Sequence, residues 1–200
     1  FDKSPSLVYH HYDGKDDLLV DLMSYLLDEF EASIADGGHP DPVAGDGDAA
    51  GEETAAAPAD AFCRSPREQL DAYLTAAVDP ASLDEAYAPD AQFVAVMTDL
   101  RSEAANDEAY REHFDRSDRV FGEYLERLVR AAAAEAPRSD TPAESVAAGE
   151  VVATVQTFAI GGMFRWATTS DGEWVADSRG GIDRYLELVL PLVETDESAG

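Results

Sequence analysis

The side chains best suited to meeting a polyanion stand at the start of the chain. Lys3 and Lys15 are its only lysines in 200 residues, and between them lie Ser4, Pro5, Ser6, Tyr9, His10 and His11. An ammonium attracts phosphate as a point charge. Hydroxyls and imidazoles donate to or accept from phosphate oxygens and base edges. In residues 1–15 the two lysines are balanced by Asp2 and Asp13, whereas residues 16–200 hold 40 acids against 12 arginines. The whole chain carries −28 at neutral pH, a charge that repels phosphate nearly everywhere else. Two lysines in so short a stretch could fall there by chance, so the spacing of their neighbours must carry the argument.

Other chemistries find little support. Cys63 is the only cysteine, which excludes an intrachain disulfide and argues against a Cys-based metal site. The stretch from Asp41 to Asp48 lacks the spacing and the closing Glu of a calcium-binding loop. The pair His10 and Asp13, with the scattered carboxylates, offers no nucleophile–base or metal-ligand spacing. No catalytic residue, metal or cofactor is expected. No apolar run approaches the roughly 18 residues that would span a bilayer, and the start lacks a secretory pattern, so a cytoplasmic protein without a membrane partner is expected. Phe1 in place of Met implies that residues precede it.

Apolar residues make up 45% of the chain, which is too many, and too periodic, for a disordered polyelectrolyte. The acidic excess instead reads as adaptation to very high salt, where the Debye length falls to about 3 Å and self-repulsion is screened.

The elements that must position these residues are helical. Ser4 is a good N-cap and Pro5 suits the first helical position, giving a short helix to Tyr12 that stops at Asp13-Gly14. A second helix starts near Lys15, with Asp16 and Asp17 at its positive end. Leu18, Leu19, Leu22, Met23, Leu26, Leu27, Phe30 and Ile34 give it one broad apolar face. Residues 36–60 hold five glycines, three prolines and seven acids, the composition of a flexible acidic loop. Helices resume with the capping box Ser65-Pro66-Arg67-Glu68 and end at Pro80. A short helical turn is expected over 82–87, a helix from Asp90, and a long one capped by Asn106. A second capping box, Thr141 to Glu144, opens a helix that Gly161-Gly162 interrupts. Asp171-Gly172 turns the chain into a last helix over about 181–193, near whose end Pro191 falls. No strand pair is expected. The fold class is all-α.

Residues 4–19, SPSLVYHHYDGKDDLL, resemble the recognition helix and following helix start of the TetR family of transcriptional regulators. The matching positions are Ser4, Val8, Tyr9, His11, Tyr12, Gly14, Lys15, Leu18 and Leu19. Pro5 and Ser6 depart from the pattern. The resemblance implies a partial helix-turn-helix followed by a helical ligand-binding and dimerisation domain. On this reading residues 1–35 are the end of the DNA-binding unit and the connecting helix, 36–60 a loop, and 61–195 the body. A recognition helix enters the major groove by its N-terminus, which assigns Lys3, Ser4, Pro5, Ser6, Tyr9, His10 and Lys15 to double-stranded operator DNA. His11, Val8 and Tyr12 read as packing residues.

The resemblance further implies a homodimer and a small, apolar ligand of unknown identity that releases a repressor from its operator. Candidate pocket residues are Phe93, Met97, Tyr110, Phe114, Phe121, Phe158 and Trp166, although aromatic rows at helical spacing are more often plain core. Gly161, Gly162, Tyr185 and Val189 are the candidate dimer contacts. The alternative is a helical small-molecule-binding or interaction dimer that does not read DNA.

Overall fold

The computed structural model describes residues 14–35, 64–83, 89, 91–137 and 145–193, without the side chains of Lys15, Asp16 and Ala35. The expected short helix over 4–12 and the acidic loop over 36–60 lie outside the described residues. Within them the protein is helical: α1 (Lys15–Ala35), α2 (Pro66–Val78), α3 (Ala91–Glu103), α4 (Glu108–Glu135), α5 (Ala148–Thr168) and α6 (Glu173–Val189). Two 3₁₀ turns, Pro80–Ser82 and Leu190–Leu192, follow α2 and α6.

Local chemistry explains several boundaries. The Ser65 hydroxyl accepts from the Glu68 amide while the Glu68 carboxylate accepts from the Ser65 amide, the reciprocal capping box expected from the sequence. α2 ends at Val78, and Pro80, which cannot continue an α-helix, opens the 3₁₀ turn. This turn starts two residues before the 82–87 turn read from the sequence, of which residues 84–87 are not described. α4 is capped by Asp107 rather than Asn106. The Asp107 carboxylate accepts from the amides of Ala109 and Tyr110, and charge makes it the stronger acceptor at a positive helix end.

Three expectations are corrected at the C-terminal side. α5 begins at Ala148, after an uncapped Ala147, and not directly behind the Thr141–Glu144 box, which is not described. Val146, two residues before this start, is tied down instead by its amide donating to the Leu192 carbonyl, in an isolated parallel bridge between Val146 and Val193. α5 runs unbroken through Gly161-Gly162. α6 begins at Glu173, eight residues before the expected start, and carries Gly180-Gly181 in its interior. Tertiary contacts override the low helix propensity of these glycines. The Arg179 guanidinium pairs with Asp71 of α2 at 2.9 Å, and that of Arg165 lies 4.6 Å from the centre of the Trp174 ring.

The main core is built by α2, α4, α5 and α6, with Leu70, Leu74, Leu125, Val129, Val151, Val155 and Leu186 fully buried. A smaller second core holds α1 to the body: Met23 of α1, Leu100 of α3, and Tyr110 and Phe114 of α4, flanked by Leu19, Val20 and Met97. The apolar face of α1 is therefore divided. Met23 and Leu27 are buried, whereas Leu18, Leu22, Tyr25 and Leu26 are exposed along the outer side.

Candidate nucleic-acid interface and body sites

Lys15 is the first residue of α1, and the Leu18 amide donates to the Gly14 carbonyl in the first turn. The other six residues assigned to DNA, Lys3, Ser4, Pro5, Ser6, Tyr9 and His10, lie outside the described residues. What the structure adds is the seat of α1, the element that leads from those residues into the body. Besides the second core, α1 is joined to α4 by Arg116, which pairs with Asp28 at 2.5 Å and with Glu31. Both carboxylates stabilise the guanidinium and raise its pKa further. Phe30 stacks on Phe121 of α4 at 4.5 Å and meets Tyr124 edge-on at 5.7 Å.

His113 lies in the same α1–α4 contact and was not among the residues singled out from sequence. It is only 8% exposed, its Nδ1 stands 3.5 Å from the Ser24 hydroxyl of α1, and its ring meets Phe114 edge-on. Burial, and then the charge of Arg116, push its pKa down. A histidine of an exposed-looking helical stretch, Glu108–Asp115, gives no sign in sequence that it faces a neighbouring helix.

The seven residues expected to line a ligand pocket do not share one cavity. Met97, Tyr110 and Phe114 gather in the second core. Phe121 packs with Phe30 and Tyr73. Phe158 meets Tyr185 edge-on at 5.5 Å, on the α5–α6 side. Trp166 is half-buried on α5, and Phe93 is 47% exposed on α3. A groove of about 380 Å³ does exist between α1 and α4, lined by Glu31, Ile34, Val120, Glu123, Glu126, Arg127 and Arg130. None of the seven borders it, and five charged side chains make it a poor seat for an apolar molecule.

The body also contains a polar junction that sequence reasoning missed. The Asp118 carboxylate of α4 pairs with Arg101 of α3 at 2.5 Å, and its backbone carbonyl accepts from the Gln156 amide of α5 at 2.8 Å. Burial and the Asp118 charge, opposed by Arg101, push the Tyr73 phenol of α2 up to about 12. Arg101 of α3 and Gln156 of α5 are thus both held by one residue of α4. Among the described residues no group of three or more His, Cys, Asp or Glu side chains could hold a metal, and no helix is long and apolar enough to cross a membrane.

The candidate dimer residues separate as well. Gly162 is buried against α2: an added Cβ would stand 2.5 Å from Val78 Cγ2, 3.2 Å from Val78 Cα and 3.3 Å from the Ala77 carbonyl. The close crossing that this glycine permits is within the chain. Val189 also belongs to the main core, and Tyr185 packs partly against it. Gly161 meets nothing within 4 Å and lies on an outward ridge of small and apolar residues, with Ala153, Thr157 and Phe164 also exposed. Leu188 on α6 is 68% exposed. Both Phe164 and Leu188 were legible as apolar residues, but only the packing shows them facing outward.

No family model matches the chain, and no curated protein matches it. Among solved structures it is similar to the crystal structure of a TetR transcription regulator from Haloarcula marismortui, with 22% identity and a TM-score of 0.58. The match covers 93% of this chain and 84% of the other. The order and packing of its helices give this chain the fold of a TetR regulator.

Proposed function

We propose that this protein is a DNA-binding transcriptional regulator whose reading helix is residues 4–12 and whose body is residues 61–195, joined by α1. The observation that carries the reading is the coincidence of two independent signals. The SPSLVYHHYDGKDDLL segment stands directly before and within the start of α1, and the fold around α1 is that of a TetR regulator. Lys15, at the positive N-terminal end of α1, suits a phosphate contact. Lys3, Ser4, Pro5 and Ser6 suit the groove, and Tyr9 and His10 the flanking backbone. The exposed stripe Leu18, Leu22, Tyr25 and Leu26 is an apolar surface on which the reading unit can rest.

The protein acts as a homodimer through the outward ridge of α5 and through Leu188 of α6. This places one reading helix on each half of a palindromic site. Its response is repressor release by a small apolar molecule that enters beside Met97, Tyr110 and Phe114. A molecule lodged in that second core would displace α1, the element that leads from reader to body, and would shift the population away from the DNA-competent state.

The test is selection of bound sequences from a random duplex library, followed by a salt titration of the selected site. Enrichment of a palindrome supports the reading. Replacing Ser4 and Ser6 by Ala relaxes sequence preference, whereas Lys15→Ala weakens all sequences alike and lowers the salt slope by about 1. Retention of no specific sequence at any salt concentration overturns it in favour of a helical ligand-binding or interaction dimer.

A further inference from the structure

His113 is the one histidine among the described residues, and it sits where the connecting helix meets the body. Ser24 of α1 faces its Nδ1 at 3.5 Å, and Phe114 closes one side of the ring. With the hydroxyl as donor, the neutral ring is the Nε2–H tautomer. The charged groups around it leave a second positive charge without compensation. On α4, Arg116 stands one turn away, and the adjacent Glu112 and Asp115 are exposed. On α1, Asp28 and Glu31 are already engaged by Arg116, and Asp21 lies one turn before Ser24. On α3, the guanidinium of Arg101 stands 4.9 Å over the Phe114 ring. Ser24 can turn to accept from a protonated ring, so the hydrogen bond survives protonation. What changes is that a charge now sits in an apolar helix interface beside a guanidinium, an arrangement that burial disfavours.

We propose that His113 is a proton-operated latch between α1 and α4: neutral, it lets the two helices pack, and protonated, it drives α1 off the body. The sign follows from the surroundings. Burial and Arg116 hold the ring's pKa below the ordinary histidine value. The separated helices therefore bind the proton more readily than the packed ones. The packed state is fully favoured above the ordinary histidine range and loses ground as pH falls below it. The consequence for DNA, release in acid, rests on the function proposed above, and the helix movement does not.

The experiment uses the full chain in a Cys63→Ser background with spin labels at Glu29→Cys on α1 and Arg119→Cys on α4, both exposed positions. The label distance is followed from about pH 7.5 to about pH 5 at fixed salt. The His113 ring is followed by NMR over the same range. A distance that lengthens in acid with the midpoint of the ring titration, below the ordinary histidine range, supports the latch. His113→Gln, which cannot charge, then holds one distance throughout. If this variant does not fold, agreement of the two wild-type midpoints decides the matter. An acid response that persists in His113→Gln, a distance midpoint separate from the ring's, or no movement on ring protonation overturns the latch. If the helices separate but operator affinity is unchanged, the latch stands and the DNA-binding role of α1 falls.

Discussion

At the scale of single residues, adjacent glycines in α5 make opposite predictions. A methyl at Gly162 would collide not only with the Val78 side chain but with the backbone of Val78 and Ala77, which cannot turn aside. Gly162→Ala should therefore lower stability by roughly 1–3 kcal/mol, the usual cost of overpacking, even though alanine is the better helix former by about 1 kcal/mol. Gly161→Ala meets open space and should stabilise the isolated chain by about 0.5–1 kcal/mol. Denaturant unfolding of both variants at one salt concentration checks the pair, and equal effects would contradict the crossing of α2 and α5 described above. Tyr73 gives a pH prediction. Its phenol is raised to about 12, so its contribution is fully present below the unfolded value of about 10 and is lost as pH rises through 12. Alkaline unfolding of Tyr73→Phe should lack that part of the loss.

At the scale of elements, the question is what holds α1 to the body. Arg116 joins Asp28 and Glu31, but all three side chains are at least one-third exposed, and such pairs contribute about 0–1 kcal/mol, less in salt. Met23 is buried in the second core, and truncating a buried methionine costs about 2–5 kcal/mol. Apolar packing wins. In molar salt, Arg116→Ala should leave unfolding within about 0.5 kcal/mol of the parent, whereas Met23→Ala should cost several times more. A larger loss for Arg116→Ala would make the ion pairs the true fastening. The capping box of α2 is a second such device, and Ser65→Ala should cost about 1 kcal/mol by leaving the Glu68 amide without its acceptor.

For the whole molecule, charge and assembly decide behaviour. A net charge of −28 on 200 residues should make unfolding free energy rise with salt into the molar range. Greater stability at low salt would contradict the reading of the acidic surface as a high-salt adaptation. The dimer proposed through α5 and α6 should be abolished by Phe164→Asp together with Leu188→Asp. Light scattering should then report a monomer with the helical content of the parent. A dimer that survives both changes places the interface elsewhere.

The sequence by itself determined the kind and order of the elements, because helical periodicity, the stop at Pro80 and the Ser65 box are local signals that later packing did not contradict, whereas the break expected at Gly161-Gly162 did not form. It also singled out residues 4–19, where residue type and spacing coincide within one short segment. Its errors arose where long-range contacts outweigh local preference. α6 starts early because Trp174 and Arg179 have partners on α5 and α2, and α4 takes Asp107 over Asn106 as its cap because a carboxylate suits the positive helix end better. Only the tertiary structure decided which apolar residues are core and which are surface. Phe93, Phe164 and Leu188 are as apolar as Phe114 and Leu186, yet the first three face outward. It also brought His113 to Ser24 and Asp118 to Arg101 and Gln156, pairings across as many as 89 positions that no local pattern announces. Periodicity tells which side of a helix is apolar; which neighbour covers that side is settled only when the helices pack.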